Sequence, residues 1–369
     1  MKILIICNCA TGLETFRGML IKELINKGND VSTAVPWSDE EKELRAEKRL
    51  KKINCDLKHI SIDRRGMNPI RDINLFLQIV RLIKVVKPDL VITYTIKPNI
   101  YGGFASRLLN VKYVVNVTGL GTAFQKKGML RNVVVYMYKI ALKEAKVVFF
   151  ENTENRDTFV DDGIIQEKKS HVLPGAGVDL EHYHYLEYPK DNEKTRFLFI
   201  GRVMREKGVD ELFTAMSKLN KEGYHCELDV LGGMEENYAD IIAKYEREGW
   251  LHYRGYQEDI RPYVKKCHCF VLPSWHEGMA NTNLECAACG RPIITSNIPG
   301  CREAVENGIS GYLIEVRNAK DLFLRLKRFL NISYSERKQM GISGRKQMEL
   351  FFDKKKVVKE SLLYINMPS

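Results

Sequence analysis

The sequence predicts an α/β protein made of two halves, each a parallel sheet covered by helices. Three observations support this fold class. Short apolar runs alternate with helical patterns from the first residue, and this alternation is typical of a doubly wound parallel sheet. A polar segment at 181–196 interrupts the alternation, which then starts again. With 369 residues, the chain is long enough for each half to have its own core.

The first half, residues 1–180, contains six predicted strands, each followed by a helical pattern. The strands are predicted at 2–9, 31–35, 57–61, 90–94, 113–117 and 147–150. The helices are predicted near 15–27, 40–52, 73–87, 100–110, 130–145 and 153–162. Thr15 is a possible N-cap of the first helix. Ser38 and Glu41 have the spacing of a capping box at the second.

The second half follows a polar, proline-containing stretch that we interpret as an interdomain linker, residues 181–196. In residues 197–354, strands are predicted at 197–200, 227–231, 251–253, 269–272, 292–295 and 311–314. Helices are predicted at 209–222, 235–248, 259–266, 281–289, 319–330 and 334–351. A last helix is predicted within 355–369, at 355–365.

The net charge of +11 is concentrated in the first half. Residues 1–170 carry 29 Lys and Arg against 19 Asp and Glu, whereas the remainder carries 29 against 28. A basic half suggests an anionic membrane surface, a phosphate-bearing substrate or nucleic acid as partner, with a solvated basic surface as the plainer alternative. Candidate membrane-binding patches are Arg64–Arg65, Lys126–Lys127 and the helix at 42–52.

Composition argues against several other classes. No run of 18 apolar residues exists, so a transmembrane helix is not expected, and the first residues lack a signal-peptide pattern. The nine cysteines are expected as free thiols in a reducing compartment. Cys286 and Cys289 form a C-x2-C motif without a second pair at zinc spacing, so no metal site is predicted.

The most informative motif is PSWHEGMANTNLECAACGRPIIT at 273–295. It puts Glu277 in a strand-to-helix loop and Glu285 about one turn inside the following helix. In open α/β sheets, ligands bind at such loops, at the carboxyl ends of the strands. A carboxylate there can accept hydrogen bonds from sugar hydroxyls, and the N–H groups of a helix start can hold a phosphate.

A second motif, FLFIGRVMREKGVDEL at 197–212, opens the second half. Gly201 ends a buried strand, and Arg202 and Lys207 lie between that strand and the next helix start. Two cations at a strand end and a helix N-terminus are suited to neutralising a diphosphate. The alternative is that these are solvent-facing loop charges.

Together the two motifs resemble glycosyltransferase family 4, retaining nucleotide-sugar transferases of GT-B fold. The resemblance rests on E-x7-E within EGM…LE…ACGRPII and on G-R-x4-K-G, and it extends over essentially the whole chain. It implies two Rossmann-like domains facing across a cleft. The first would bind the acceptor and the second the nucleotide sugar, with the C-terminal helix crossing back to the first domain.

The resemblance also implies roles for individual residues. Arg202 and Lys207 would contact the donor pyrophosphate, and Glu277 would contact the donor sugar hydroxyls, so these three are the catalytic candidates. Glu285 would bind the ribose. The donor site would further include Gly201 and the backbone amides of Gly278 and Met279. His276, beside Glu277, is a further donor-site candidate.

In the first half, the resemblance suggests a loop that closes over the donor phosphate. The matching loop is CNCATG at 7–12, where Gly12 is the family-like glycine and Arg17 is a further candidate for phosphate contact. Residues 93–124 resemble the subgroup that extends lipid-linked oligosaccharides of bacterial surface polysaccharides. Lys97, Asn99, Thr118 and Gly119 would then line the acceptor side.

The predicted function is transfer of a hexose or N-acetylhexosamine from a nucleotide sugar, UDP-linked, to a polyprenyl-diphosphate-linked saccharide. This would serve capsule, O-antigen or glycan synthesis on the inner face of the cell membrane, with a cytoplasmic, peripheral protein. No cofactor, no essential metal and no nucleic acid are expected. The rivals are a GT-B nucleotide-sugar epimerase, which would turn over donor without acceptor, and a non-catalytic basic protein that binds nucleic acid.

Overall fold

The computed structural model describes residues 1–63, 66, 68–121, 124, 128–190 and 194–366. The contacts divide the chain into two compact units. The first comprises Met1–Ala176 with Lys355–Ser369, and the second comprises Gly177–Lys354. The basic pairs Arg64–Arg65 and Lys126–Lys127, predicted as membrane patches, lie outside the described residues.

The first unit is built on a seven-stranded, all-parallel sheet with strand order β3-β2-β1-β4-β5-β6-β7. Its strands are β1 (Lys2–Ile6), β2 (Asp30–Val35), β3 (Asp56–His59), β4 (Leu90–Tyr94), β5 (Lys112–Val117), β6 (Val148–Phe150) and β7 (Ser170–Val172). Its helices are α1 (Ala10–Asn26), α2 (Glu41–Lys52), α3 (Pro69–Val86), α4 (Ile96–Leu108), α5 (Met129–Leu142) and α6 (Thr153–Asp161).

The second unit has a six-stranded parallel sheet with order β10-β9-β8-β11-β12-β13. Its strands are β8 (Thr195–Ile200), β9 (Cys226–Leu231), β10 (Leu251–Gly255), β11 (Cys269–Leu272), β12 (Ile293–Ser296) and β13 (Gly311–Ile314). The helices are α7 (Val209–Lys221), α8 (Ala239–Arg247), α9 (Arg261–Lys266), α10 (Asn281–Ala288), α11 (Ala319–Asn331) and α12 (Tyr334–Phe351), and α13 (Lys354–Asn366) ends the described chain.

The central strands form because their apolar residues are continuous rather than alternating. Leu90–Tyr94 and Cys269–Leu272 are buried along their whole length, as expected for strands with helices on both faces. In each sheet the winding direction reverses once, between β1 and β4 and between β8 and β11. The carboxyl ends of those strand pairs are the expected ligand positions in this kind of sheet.

The helix starts predicted at Thr15 and at Ser38 are wrong. The first helix begins at Ala10, and α2 has Glu40 as its N-cap, with no side-chain cap. A carboxylate from α2 instead caps α1, since Glu43 Oε2 accepts the N–H groups of Ala10 at 2.7 Å and Thr11 at 3.0 Å. The free N–H groups at the start of α1 are therefore bound by a residue of another helix, whereas the sequence analysis expected a neighbouring residue to bind them.

Residues 181–190, predicted as linker, pack on the second unit. Tyr188 is buried, and its hydroxyl donates to the carbonyl oxygen of His268 at 2.8 Å. The guanidinium of Arg291 donates to the carbonyl oxygens of Leu186 at 2.9 Å and Glu187 at 2.8 Å. The boundary between the units therefore falls earlier, between Ala176 and Gly177. The segment is therefore anchored to the second unit through its backbone carbonyls and Tyr188, although most of its side chains are polar.

The last helix, α13, joins the first unit. Glu360 Oε1 lies 2.7 Å from His171 Nε2, and Lys146 Nζ donates to the carbonyl oxygen of Ile365 at 2.7 Å. Val357 is buried in the core that also contains residues of α1 and α2. These two contacts and the burial of Val357 therefore hold α13 on the first unit.

Candidate active site

The loops after β8 and β11 are in backbone contact at the reversal point of the second sheet. Gly208 has φ +72°, and a Cβ there would lie 2.1 Å from the carbonyl oxygen of Pro273. The N–H of Trp275 donates to the carbonyl oxygen of Glu206 at 2.9 Å. Only glycine permits this approach, so Gly208 lets the two motifs of the sequence meet.

The meeting of these loops brings Lys207 against Glu277, two residues 70 positions apart. The Lys207 ammonium forms an ion pair with Glu277 Oε1, which also accepts the hydroxyl hydrogen of Ser274 at 2.8 Å. The two charged side chains are 18% and 14% exposed, and Ser274 is buried. Two donors thus fix the orientation of the Glu277 carboxylate. Ser274 was not predicted, although its place three residues before Glu277 was a usable signal.

A third loop, after β12, supports the segment that follows Glu277. Gly300 has φ +83°, and a Cβ there would lie 2.4 Å from the carbonyl oxygen of Gly278. The N–H of Ala280 donates to the carbonyl oxygen of Gly300 at 2.7 Å. This contact positions the start of α10, and Met279, just before it, is buried. The sequence analysis missed Gly300, for which the Pro-Gly pair was the signal.

Arg202 lies at the same edge of the sheet but is held less firmly. Gly201 follows β8 and donates its N–H to the carbonyl oxygen of Leu231 at 2.9 Å. The next side chain, Arg202, is 46% exposed, and its Nη1 lies 3.7 Å from Glu235 Oε2. Ion pairs this exposed contribute little to stability. Its guanidinium is therefore free to exchange Glu235 for a stronger anion.

Glu285, the second glutamate of the motif, has its own set of partners. It is half-buried on the second turn of α10, forms a hydrogen bond with Tyr183, and lies near the ammonium of Lys354. Burial raises the pKa of Glu285 to about 7, and Lys354 and Tyr183 lower it only partly. Tyr183 was not predicted, because it falls in the segment taken for a linker.

The first-unit candidates are arranged differently from the expectation. Gly12 lies in the first turn of α1 rather than in a loop, and a Cβ there would lie 2.8 Å from Cys9 Sγ. The N–H groups of Ala10 and Thr11 are bonded to Glu43. A carboxylate of the chain itself thus occupies the helix start where a phosphate was expected.

Arg17 is not a surface charge. Its side chain is 10% exposed, and Nη2 donates to Glu151 Oε1 at 2.7 Å, just after β6. The guanidinium carbon lies 5.0 Å from the centre of the Tyr94 ring, at the end of β4. Burial raises the pKa of Glu151 to about 7, although Arg17 acts to lower it. A buried ion pair therefore lies at the carboxyl edge of the first sheet.

The four acceptor-side residues separate into two groups. Asn99 is fully buried, and its side-chain amide donates to the carbonyl oxygen of Asn116 at 2.9 Å, so we assign it to the core and not to the acceptor site. Lys97 forms an ion pair with Asp72 at 2.6 Å. Thr118 and Gly119 follow β5, partly exposed at the carboxyl edge of the sheet. Asn99 and Lys97 are thus engaged inside the first unit, and Thr118 and Gly119 remain at the position expected for ligand contact.

Among the residues that the structure describes, no three His, Cys, Asp or Glu side chains are grouped as a metal site would need.

Comparison with known proteins identifies the family of the chain. Residues 187–347 match the family model of glycosyl transferases group 1, and residues 2–152 match the glycosyl transferase 4-like model. The chain belongs to glycosyltransferase family 4. This family 4 enzyme is 28% identical over 340 residues, 87% of each chain, to N,N'-diacetylbacillosaminyl-diphospho-undecaprenol alpha-1,3-N-acetylgalactosaminyltransferase of Campylobacter jejuni. It is also 28% identical, over 82% of each chain, to UDP-Gal:alpha-D-GlcNAc-diphosphoundecaprenol alpha-1,3-galactosyltransferase of Escherichia coli.

Solved structures share its fold. Anabaena HepE in complex with UDP superposes with a TM-score of 0.79, 15% identity and 99% coverage of each chain. A glycosyltransferase from Rickettsia africae superposes with a TM-score of 0.77 and 20% identity, covering 98% of this chain and 97% of its own. The fold is therefore GT-B, as the sequence predicted, and the chain is a glycosyltransferase.

Proposed function

We propose that this enzyme transfers a hexose or N-acetylhexosamine from a UDP-sugar to a saccharide carried on a polyprenyl diphosphate. The observation that carries the proposal is the contact between Lys207 and Glu277, which unites the two donor motifs at one edge of the second sheet. One relative is named for a UDP-sugar donor, and both relatives above are named for diphospho-undecaprenol acceptors. The product would serve capsule, O-antigen or glycan synthesis.

The cations of this site would stabilise the leaving group. In the transfer, the bond from the anomeric carbon to the diphosphate oxygen breaks, and a bond from the acceptor oxygen to that carbon forms. The hydroxyl proton of the acceptor goes to an oxygen of the departing diphosphate. Negative charge grows on the diphosphate, where Lys207 and Arg202 would meet it in an already oriented site. The backbone N–H groups of Gly278 and Met279, in the loop just before α10, would add further donors.

The two glutamates would divide the remaining work. Glu277 would accept hydrogen bonds from hydroxyls of the donor sugar, because Lys207 and Ser274 already orient its carboxylate. Glu285, on the second turn of α10, would accept hydrogen bonds from the ribose hydroxyls of the nucleotide. Attack on the face from which the diphosphate leaves would retain the anomeric configuration, as expected from the family. In the first unit, Thr118 and Gly119 would contact the acceptor.

The enzyme would reach a lipid-linked acceptor as a peripheral protein on the inner face of the membrane. Its basic first half is suited to anionic lipid, because each cation near such a surface contributes about 1 kcal/mol.

A donor and acceptor panel tests the proposal. The purified enzyme is incubated with UDP-glucose, UDP-galactose, their N-acetylamino counterparts and GDP-mannose, with and without a polyprenyl-diphosphate-linked N-acetylhexosamine. We expect release of UDP and a product one sugar heavier by mass spectrometry, both only when the acceptor is present. Interconversion of UDP-sugars without acceptor would instead identify an epimerase. Absence of product with every donor would overturn the acceptor assignment.

The role of Glu285 predicts a pH dependence of UDP binding. With a pKa raised to about 7, the carboxyl is mostly protonated at about pH 6 and mostly ionised at about pH 8. The ionised form is the better acceptor for two ribose hydroxyls, so UDP affinity should rise up to about tenfold between these pH values. Calorimetry on wild type and Glu285→Gln measures this, since the variant shares the titration of the UDP phosphate but lacks the carboxyl. Equal pH profiles would contradict the ribose role.

A further inference from the structure

One face of the first unit exposes an unusual amount of apolar surface. Helices α3, α4 and α5 contribute side chains to one core of the sheet, whereas α1, α2 and α13 contribute to the other. Contacts of α4 with both α3 and α5 place it between them on the same face. Among the described residues, 21 large apolar side chains are exposed, and ten of these lie on α3, α4 and α5.

The exposed residues form stripes along these helices. On α5, Met129, Val133, Tyr136 and Ile140 recur at helical spacing and are 84%, 50%, 65% and 37% exposed. Leu108 on α4 is 63% exposed, beyond the partly buried rings of Tyr101 and Phe104 at the same spacing. On α3, the exposed stripe is Ile70, Ile73 and Leu77. Helices pack 8–10 Å apart, so the three stripes extend over about 20 Å.

The same three helices are strongly basic. They contain seven Lys and Arg but a single acidic residue, Asp72, which is paired with Lys97. Carboxylates next to these helices pair three more of the cations, as in Arg71 with Asp63, Arg107 with Glu144 and Arg131 with Asp162. Arg81 and Lys84 continue the α3 stripe as exposed cations, and Lys139 borders the α5 stripe. The opposite side differs, because α1 and α2 together expose Leu44 alone among their large apolar side chains. Three cations of α2 are in ion pairs: Lys42 with Glu40, Arg45 with Glu41, and Arg49 with Glu14 of α1.

We propose that the face formed by α3, α4 and α5 is the surface through which the enzyme docks on an anionic lipid bilayer. Apolar stripes bordered by cations match the boundary between acyl chains and anionic headgroups, where amphipathic surfaces bury their apolar side by 5–10 Å. A second copy of this chain is a poor occupant, because pairing two such faces would bring together the three cations of each that have no carboxylate partner among the described residues, Arg81, Lys84 and Lys139. The inference rests on the proposed function, which puts the acceptor in the membrane, and it moves the docking site away from α2.

Two contributions to membrane binding, electrostatic attraction and apolar burial, respond differently to salt. Attraction of the cations to anionic headgroups is screened at high ionic strength, whereas burial of the stripes is not. Wild-type enzyme should therefore bind vesicles that contain phosphatidylglycerol, lose part of that binding at about 0.5 M salt, and keep the remainder. The described residues hold no helix long and apolar enough to cross a bilayer, so a surface attachment is the mode under test.

Matched variants test the assignment by vesicle flotation without donor or acceptor. The first replaces Val133, Tyr136 and Ile140 by Gln. Its control replaces three exposed apolar residues of the second unit by Gln: Leu324, Leu350 and Phe351, which are 50%, 62% and 64% exposed. We expect the α5 variant to lose about tenfold or more of its partitioning, mainly the salt-resistant part, and the control to behave as wild type. Thermal melting and UDP affinity should be unchanged in both, which excludes misfolding.

Every other outcome counts against the docking face. Wild-type flotation by the α5 variant, equal losses in both variants, or no vesicle binding by the wild type would overturn it. A dimer in light scattering that the α5 variant dissociates, with vesicle binding intact, would identify the face as an interface between copies. Because flotation needs no transfer, such results would leave glycosyl transfer to a short, water-soluble acceptor standing. If instead the wild-type enzyme transferred no sugar to that water-soluble acceptor, the proposed function would be refuted.

Discussion

Replacing Lys207 by Ala should weaken UDP binding by roughly ten- to hundredfold and lower turnover at least as much. A charge-assisted hydrogen bond to the diphosphate is worth about 1.5–3 kcal/mol, and Ala also leaves Glu277 with one donor fewer. The carboxylate would then be partly buried without its cation, and its orientation toward the sugar would relax. Calorimetry with UDP measures the binding loss, and initial rates at saturating donor measure the turnover loss.

The matched control is Lys221→Ala, an exposed lysine at the other end of α7. It removes the same charge at the opposite end of that helix without touching the two loops, so UDP affinity and rate should stay close to wild type. Glu277→Gln keeps the shape of the side chain but not its charge, and should reduce turnover more than UDP affinity. If Lys207→Ala and Lys221→Ala bound UDP equally well, the diphosphate role of Lys207 would be lost.

Replacing Arg291 by Met should destabilise the second unit by about 3 kcal/mol or more. This side chain is fully buried and donates hydrogen bonds to carbonyl oxygens at the ends of two helices, Val264 at 2.8 Å in α9 and Cys289 at 3.1 Å after α10. It also binds Leu186 and Glu187. Methionine fills similar space but leaves these carbonyls without their donor, and each unsatisfied buried group costs about 1–3 kcal/mol.

Thermal unfolding followed by circular dichroism measures this effect. For a unit of this size, 3 kcal/mol corresponds to a decrease of about 6–12 °C in the melting temperature. Arg325→Met serves as the control, because Arg325 is a partly exposed residue paired with Asp321 on the same helix, α11. Its loss should cost no more than about 0.5 kcal/mol. A melting temperature within 2–3 °C of wild type for Arg291→Met would show that water or other donors replace the guanidinium.

The strand pattern was predictable because burial on both faces leaves a continuous apolar run. Leu90–Tyr94, Cys269–Leu272 and Gly311–Ile314 begin and end where the apolar residues do. The short strand Ser170–Val172 escaped prediction, since its three residues are only half-buried at the sheet edge and carry no such run. Local caps made some helix starts predictable, although α7 and α10 begin where predicted without a side-chain cap. The capping box of α12, Ser333 with Glu336, is local, whereas the Glu43 cap of α1 comes from another helix.

The candidate site was predictable in its charged residues but not in what supports them. Lys207 and Glu277 belong to motifs that a single sequence displays. Their mutual contact depends on Gly208, whose missing Cβ lets two loops touch, and no local pattern shows which loop a glycine will meet. Asn99 illustrates the opposite error. A polar residue near a strand end was taken for a ligand contact, yet it is an internal partner of the Asn116 carbonyl.

The hold of Arg291 on residues 186–187 has a practical meaning for engineering this enzyme. A designer who exchanges donor specificity with a relative would be tempted to cut the chain in its polar stretch near 190. That cut would take the guanidinium from one parent and two of its carbonyl acceptors from the other. In each chimaera, the residues around these hydrogen bonds would come from two different proteins. The transplantable cassette is instead Gly177–Lys354, which carries the arginine together with every carbonyl it binds.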